Sequence, residues 1–138
     1  MSRRRTTALA VVTRTETLGT PARAGSRVNL MFRAFSDRTR LRILHLLQER
    51  EMCVGDIVTV LRLPQPTVSR HLSYLRRARL VRGRKDGLWV FYSLTPAETA
   101  FQQKLLDCVG ACFGDVLELA QDAKRAAKIR KSGGCCPR

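Results

Sequence analysis

Five cysteines are the most reactive side chains of this 138-residue chain, and their spacing is uneven. Cys108-Val-Gly-Ala-Cys112 sets two of them at i and i+4, which on a helix puts both sulfurs on one face. Thiolates held in that way suit a soft, thiophilic ion, to which one more thiolate can be added. Cys53 stands ahead of Val54-Gly55-Asp56, and Cys135-Cys136 lie in a Gly, Cys and Pro tail. Cysteine also packs as a small buried hydrophobe, and Cys108 and Cys112 fall on an apolar seam with Phe101, Leu105, Val116 and Leu119. Ligation and packing are both open for these positions. An odd number of cysteines argues against a disulfide framework.

Helices must position these groups, and the apolar spacing supplies them. From Ser26, Leu30, Met31, Ala34 and Phe35 recur at helical intervals; after Ser36-Asp37, a natural N-cap, so do Leu41, Leu44 and Leu47. A short helix over Asp56–Leu61 turns Ile57, Val60 and Leu61 inward, and Pro64 stops it. Pro66 opens the next helix, whose buried stripe is Val68, Leu72 and Leu75. Leu80–Lys85 and Leu88–Leu94 read as strands around the turn dipeptide Asp86-Gly87. Residues 96–130 read as one long helix. The expected architecture is mainly α with a small β-hairpin, divided into a flexible basic arm (1–25), a core (26–95), a C-terminal helix (96–130) and a Cys-containing tail (131–138).

Charge identifies the partner class. Lys and Arg number 26 against 11 Asp and Glu, a formal charge of +15, while 44% of residues are hydrophobic. That combination describes a folded domain with a polyanionic partner. Two short helices joined at Arg62-Leu63-Pro64 have the proportions of a helix-turn-helix, and the hairpin behind them those of a wing. Gln65 and Thr67 stand at the leading end of the second helix, where side chains reach base edges; Ser69, Arg70, Ser73 and Arg77 follow along it. Arg84 and Lys85, near the hairpin tip, suit phosphate. Double-stranded DNA is therefore the expected ligand. A phosphate-binding glycine loop, H-E-x-x-H and C-x-x-C are all missing, so an enzyme is not expected. The longest uncharged run, the eleven residues Gly87–Ala97, is too short to span a membrane, and a cytoplasmic location is expected.

Phe35-Ser-Asp-Arg-Thr-Arg-Leu-Arg-Ile-Leu44, Cys53-Val-Gly-Asp-Ile57, Leu63-Pro-Gln-Pro-Thr-Val-Ser-Arg-His-Leu72 and Leu88-Trp-Val-Phe-Tyr92 together resemble the ArsR/SmtB family of winged-helix repressors. The resemblance covers roughly residues 27–130. It implies a homodimer, paired through its terminal helices, that binds operator DNA and releases it on capturing a metal or metalloid. Arsenic-type members carry Cys-Val-Cys-Asp where this chain has Cys53-Val54-Gly55-Asp56, so one thiol of that pair is missing. The resemblance thus points to arsenite held by Cys108, Cys112 and a third thiolate, with Cys53 the first choice and Cys135 or Cys136 the rival. No histidine follows His71, so the His-containing zinc site of other members cannot be assembled. A redox or persulfide sensor, bridging Cys108 or Cys112 to Cys53, is the alternative.

Overall fold

The computed structural model describes residues 21–134, with side chains described from residue 25 onward. Residues 1–20 of the expected arm, and Cys135 and Cys136, lie outside the described residues. The chain divides into two units, residues 1–33 and 34–138.

Helix α1 spans Pro21–Phe35 and begins five residues before Ser26, inside the stretch expected to be an arm. Proline at the first helical position gives up a backbone N–H that has no partner there anyway. Ala22 and Arg23 favour helix, and Gly25 is tolerated because its surroundings are open. Val28 and Phe32, at i and i+4, remain 39% and 54% exposed.

The larger unit contains α2 (Arg38–Leu46), β1 (Met52–Cys53), α3 (Val54–Leu61), α4 (Gln65–Arg77), β2 (Val81–Asp86), β3 (Trp89–Leu94), α5 (Ala100–Ala111) and α6 (Leu117–Lys131). Asp37 caps α2, its carboxylate accepting from the Arg40 N–H at 2.9 Å. Ile57, Val60 and Leu61 of α3 and Val68, Leu72 and Leu75 of α4 are buried, as their spacing predicts. Each such side chain contributes about 1.5–3 kcal/mol. Between them, Arg62 closes α3 in the left-handed conformation at φ 57°.

Three further features differ from the sequence reading. A two-residue strand, β1, pairs with β3 to give an antiparallel sheet of order β1-β3-β2; it is too short to show an alternation. The hairpin register sets Asp86 opposite Trp89, so the loop is Gly87-Leu88 rather than Asp86-Gly87. Gly87, at φ 61°, takes the first loop position, which demands a positive φ in a type II′ turn.

The third difference is the expected long helix, which is two helices separated at residues 112–116. The buried positions are Gln102, Leu106 and Val109 on α5 and Leu119, Asp122 and Ala126 on α6. From Val109 to Leu119 an unbroken helix would rotate these two stripes about 80° out of phase. The break, which includes Gly114 and Asp115, restores both to the core. Thr99 caps α5 by accepting from the Gln102 N–H at 3.0 Å, while the Gln102 amide accepts from the Glu98 N–H and donates to the Arg79 carbonyl. Burial of a polar Gln102 is thereby satisfied.

Helix α6 is tied to the end of α3 by charge. Asp122 is fully buried and accepts from the Arg42 guanidinium at 2.7 and 2.9 Å and from Arg125. Arg42 also donates to the Leu61 carbonyl at 3.0 Å, and Arg125 to that of Val60 at 2.7 Å. The Asp122 carboxylate, outweighing the cost of burial, raises the Arg42 pKa.

Candidate nucleic-acid interface and thiol pair

Helix α4 buries one narrow stripe and turns its polar faces outward. Gln65, Arg70, Ser73 and Arg77 are exposed along it, and Thr67 and Ser69 are half-buried at its shoulders. These are the residues expected to read DNA, and the fold leaves them on the outer side of the second helix of the helix-turn-helix. Pro64 and Pro66 flank the start of α4, whose first turn has no side-chain cap. The Thr67 and Val68 N–H groups both donate to the Pro64 carbonyl, at 3.0 and 3.1 Å, and Pro66 has no N–H to offer, so it is the helix dipole that favours an anion there. Ser73, Arg76 and Arg77 line a shallow open depression further along.

Several of the arginines are held in place rather than loose. The Arg40 guanidinium lies 4.1 Å from the Tyr74 ring centre and Arg77 lies 5.3 Å from it, so cations flank this aromatic ring. On the wing, Arg84 donates to Glu51 at 2.7 Å, reaches Asp86 at 3.5 Å and stacks over Phe91 at 4.9 Å. Its hydrogen bond to Glu51 raises its pKa. The phosphate-gripping role expected of Arg84 is thus partly countered by carboxylates, whereas Lys85 is exposed. Arg82 reaches the Ser93 hydroxyl, at 3.3 Å. Leu88, at the tip, is 99% exposed.

Cys108 and Cys112 lie on one side of the last turn of α5, where the Cys112 N–H donates to the Cys108 carbonyl at 2.9 Å. Both thiols are free and exposed, so the packing interpretation of these two positions does not hold within the chain. The Cys108 S–H donates to the neighbouring Cys112 sulfur, and this hydrogen bond is the main cause holding the Cys108 pKa above that of an ordinary thiol. Gln48 braces this end of the helix, donating to the Leu106 carbonyl at 2.9 Å and packing against Gly110.

Cys53 does not join them. It is wholly buried at the end of β1 beside Phe91 of β3, and caps α3 by accepting from the Asp56 N–H at 3.4 Å. It is disulfide-bonded, and because Cys108 and Cys112 are free the bond is made to neither. Among the described residues no three His, Cys, Asp or Glu side chains are placed to hold a metal ion. The expected trio of Cys53, Cys108 and Cys112 is therefore not assembled, nor is the redox bridge between them. The reason is tertiary: β-pairing of Met52-Cys53 with Phe91-Tyr92 fixes Cys53 at the sheet, while the thiol pair ends a helix packed on α2.

Sequence reasoning missed the Arg42–Asp122–Arg125 cluster. A signal existed in Asp122, an acid on the same helical stripe as Leu119 and Ala126. Glu51, the partner of Arg84, gave none. Among the described residues no helix is long and apolar enough to cross a membrane.

Residues 37–82 match the family model described as bacterial regulatory protein, arsR family. The chain is 46% identical over 78 residues to an uncharacterized HTH-type transcriptional regulator of Methanocaldococcus jannaschii, covering 56% of this chain and 88% of the relative. It is 43% identical over 83 residues to the arsenical resistance operon repressor of Escherichia coli, covering 59% of this chain and 71% of that protein. Among solved structures, reduced HlyU from Vibrio cholerae superposes with a TM-score of 0.56 at 27% identity, covering 70% of this chain and 94% of that one.

Proposed function

The chain belongs to the arsR family of bacterial regulatory proteins, and from that premise we propose that it is a homodimeric repressor which leaves its operator when trivalent arsenic is taken up by cysteine thiolates. As a member of that family it is a DNA-binding transcriptional regulator and not an enzyme. The observation that carries the arsenic reading is the exposed, free pair Cys108–Cys112, two sulfurs a helical turn apart. Similarity to the arsenical resistance operon repressor supports the choice of ion. Dimerisation is supported by the exposed apolar pair Val28 and Phe32 on α1.

The position of the thiol pair suggests how capture reaches DNA. Cys112 ends α5 immediately before the break that sets the phase of α6. Helix α6 is tied through Asp122, Arg42 and Arg125 to the carbonyls of Val60 and Leu61, the last residues before the turn into α4. An ion bridging the two sulfurs alters the end of α5, and a shifted α6 pulls on the helix that supports the DNA-reading one. Coupling of about 1–3 kcal/mol between the two sites is the usual scale and changes operator affinity about 5- to 150-fold.

Fluorescence anisotropy of labelled operator, titrated with arsenite, tests this reading. Wild-type protein is expected to release DNA, while Cys108→Ser and Cys112→Ser keep operator affinity and lose the response. Full release from the double variant would sink the role of this pair. A second reading, a redox-responsive regulator of the same fold, is favoured by the disulfide-bonded state of Cys53 and by similarity to HlyU, solved in a form described as reduced. Release by peroxide but not by arsenite in the same assay would select it.

A further inference from the structure

Arg77 is the last residue of α4, about 18 Å from Gln65 at the rise of an α-helix. Recognition helices turn their N-terminal residues to base edges, so the far end meets the sugar-phosphate backbone. The Arg77 side chain is exposed and, among the described residues, forms no ion pair. It shares an open depression with Ser73 and Arg76, donors that suit the same phosphate. A long exposed side chain gives up rotamer freedom when it meets a ligand, and that loss weakens binding.

Here the guanidinium already has a resting place. It lies over the ring of Tyr74, one turn back on α4, at 5.3 Å from the ring centre. Tyr74 is half-buried and is fixed from outside its own helix, because the Arg40 guanidinium of α2 lies over the same ring at 4.1 Å. Arg40 is itself tied down. Its Nε donates to the Ala34 carbonyl at 3.0 Å, and its Nη1 lies 3.5 Å from His71 Nδ1 and 3.9 Å from the Asp37 carboxylate. That carboxylate offsets the charge of Arg40 beside a second cation, and also caps α2. The Arg40 side chain is only 13% exposed. The Tyr74 hydroxyl makes no hydrogen bond among the described residues, so the ring alone is what the two arginines share.

We propose that Arg40 and Tyr74 are positioning residues for DNA binding: Arg40 fixes the Tyr74 ring, and the ring holds the Arg77 guanidinium ready for a backbone phosphate of the operator. Neither Arg40 nor Tyr74 has to touch DNA. The ordering of Arg77 is met when the chain folds rather than when DNA arrives, which is preorganisation. A planar, delocalised guanidinium is required, since an ammonium does not stack flat on a ring. Through Arg40 the far end of α4 is also pinned to Ala34 and to the start of α2, so that the phosphate contact and the seat of the DNA-reading helix depend on one side chain.

Fluorescence anisotropy of the full chain on a labelled duplex, selected by the wild-type protein from a random-sequence pool, tests this. No arsenite is present, so the outcome is independent of the release proposed above. Arg77→Ala should lower the salt slope by roughly one for each bound protomer. Tyr74→Leu should weaken binding about 2- to 5-fold per protomer, the scale of an exposed cation–π contact, while Tyr74→Phe keeps the ring and should bind as wild type. A double-variant cycle then separates positioning from folding. In an Arg77→Ala background, Tyr74→Leu and Arg40→Lys should each lose most of their effect, whereas a variant that only loosened the fold would weaken binding by the same factor in both backgrounds. Equal factors in the two backgrounds, weakened binding by Tyr74→Phe, or an unchanged salt slope for Arg77→Ala overturns the proposal. Leucine is a good helix former, so α4 should survive the first substitution. Circular dichroism checks this, and if Tyr74→Leu does not fold, Tyr74→Phe and the cycle of Arg40→Lys with Arg77→Ala decide.

Discussion

At the scale of single residues, thiol chemistry and DNA contact each reduce to what a side chain touches. Cys108 is exposed, yet Cys112 beside it holds its pKa above the ordinary thiol range. The thiolate is the nucleophile, so near pH 8.5 Cys108 should carry less of it than a free cysteine, and its reactivity should keep rising above that pH. Iodoacetamide labelling followed by peptide mass spectrometry, from about pH 7 to about pH 10, should show this late midpoint. Cys112→Ser should move it down, and an unmoved midpoint would contradict the pairing. On the wing, Lys85→Ala should weaken binding to all sequences and reduce the salt slope by roughly one unit, as loss of one phosphate contact does. Arg84→Ala should reduce it less, because Glu51 and Asp86 already counter that charge. Arg70→Ala should instead relax sequence preference, costing about 1–3 kcal/mol at one base pair if the contact is bidentate. Equal salt slopes for the two wing variants would reverse their assignment.

At the scale of elements, the least replaceable contact is that of α6 with the end of α3. Asp122 is wholly buried between two guanidinium groups, and Arg42 is itself buried. Removing the carboxylate takes from the buried Arg42 cation its nearest counter-charge and leaves it Glu118 at 3.3 Å, a change on the scale of about 3–5 kcal/mol. Asp122→Ala should lose that much stability in urea unfolding monitored by circular dichroism, with Asp122→Asn falling between it and wild type. If Asp122→Ala unfolds within about 1 kcal/mol of wild type, the pair is not the tie described. The exposed pair of Arg38 with Glu118 should contribute little, since screened surface pairs are typically worth about 0–1 kcal/mol.

At the scale of the whole molecule, the proposed dimer has a direct test. Val28 and Phe32 present an apolar pair on α1, and a charged residue there would have to be desolvated in any interface that covers them. Phe32→Glu is expected to shift the protein from dimer to monomer in sedimentation velocity at micromolar concentration. It should also weaken operator binding, since each protomer reads one half-site. A Phe32→Glu protein that still sediments as a dimer would take α1 out of the interface.

Much of this molecule was decided by local patterns. The stripe Val68, Leu72, Leu75 makes α4 a helix with one buried face, and that alone puts Gln65, Arg70 and Ser73 on the outside. Asp37 and Thr99 mark helix starts by side-chain chemistry that acts within three residues. A basic charge excess and the helix-turn-helix spacing pointed to DNA as the partner class, which is that of the family. Patterns of this kind are blind to contacts between distant segments. The spacing of Cys108 and Cys112 shows that they share a helix face, but not whether that face is buried. Core packing chose Gln102, Leu106 and Val109 instead and left the thiols outside. The long-helix expectation failed because satisfying two separate stripes required a break that no single periodicity announces. The place of Cys53 was hidden for the same reason: a two-residue β-pairing with Phe91 and Tyr92 sets it at the sheet, and the turns at Gly133 and Gly134 bring the backbone after α6 to Asp56. The sequence determined which groups have chemistry, while the tertiary structure decided which of them meet, because pairing across 80 residues depends on how the helices pack.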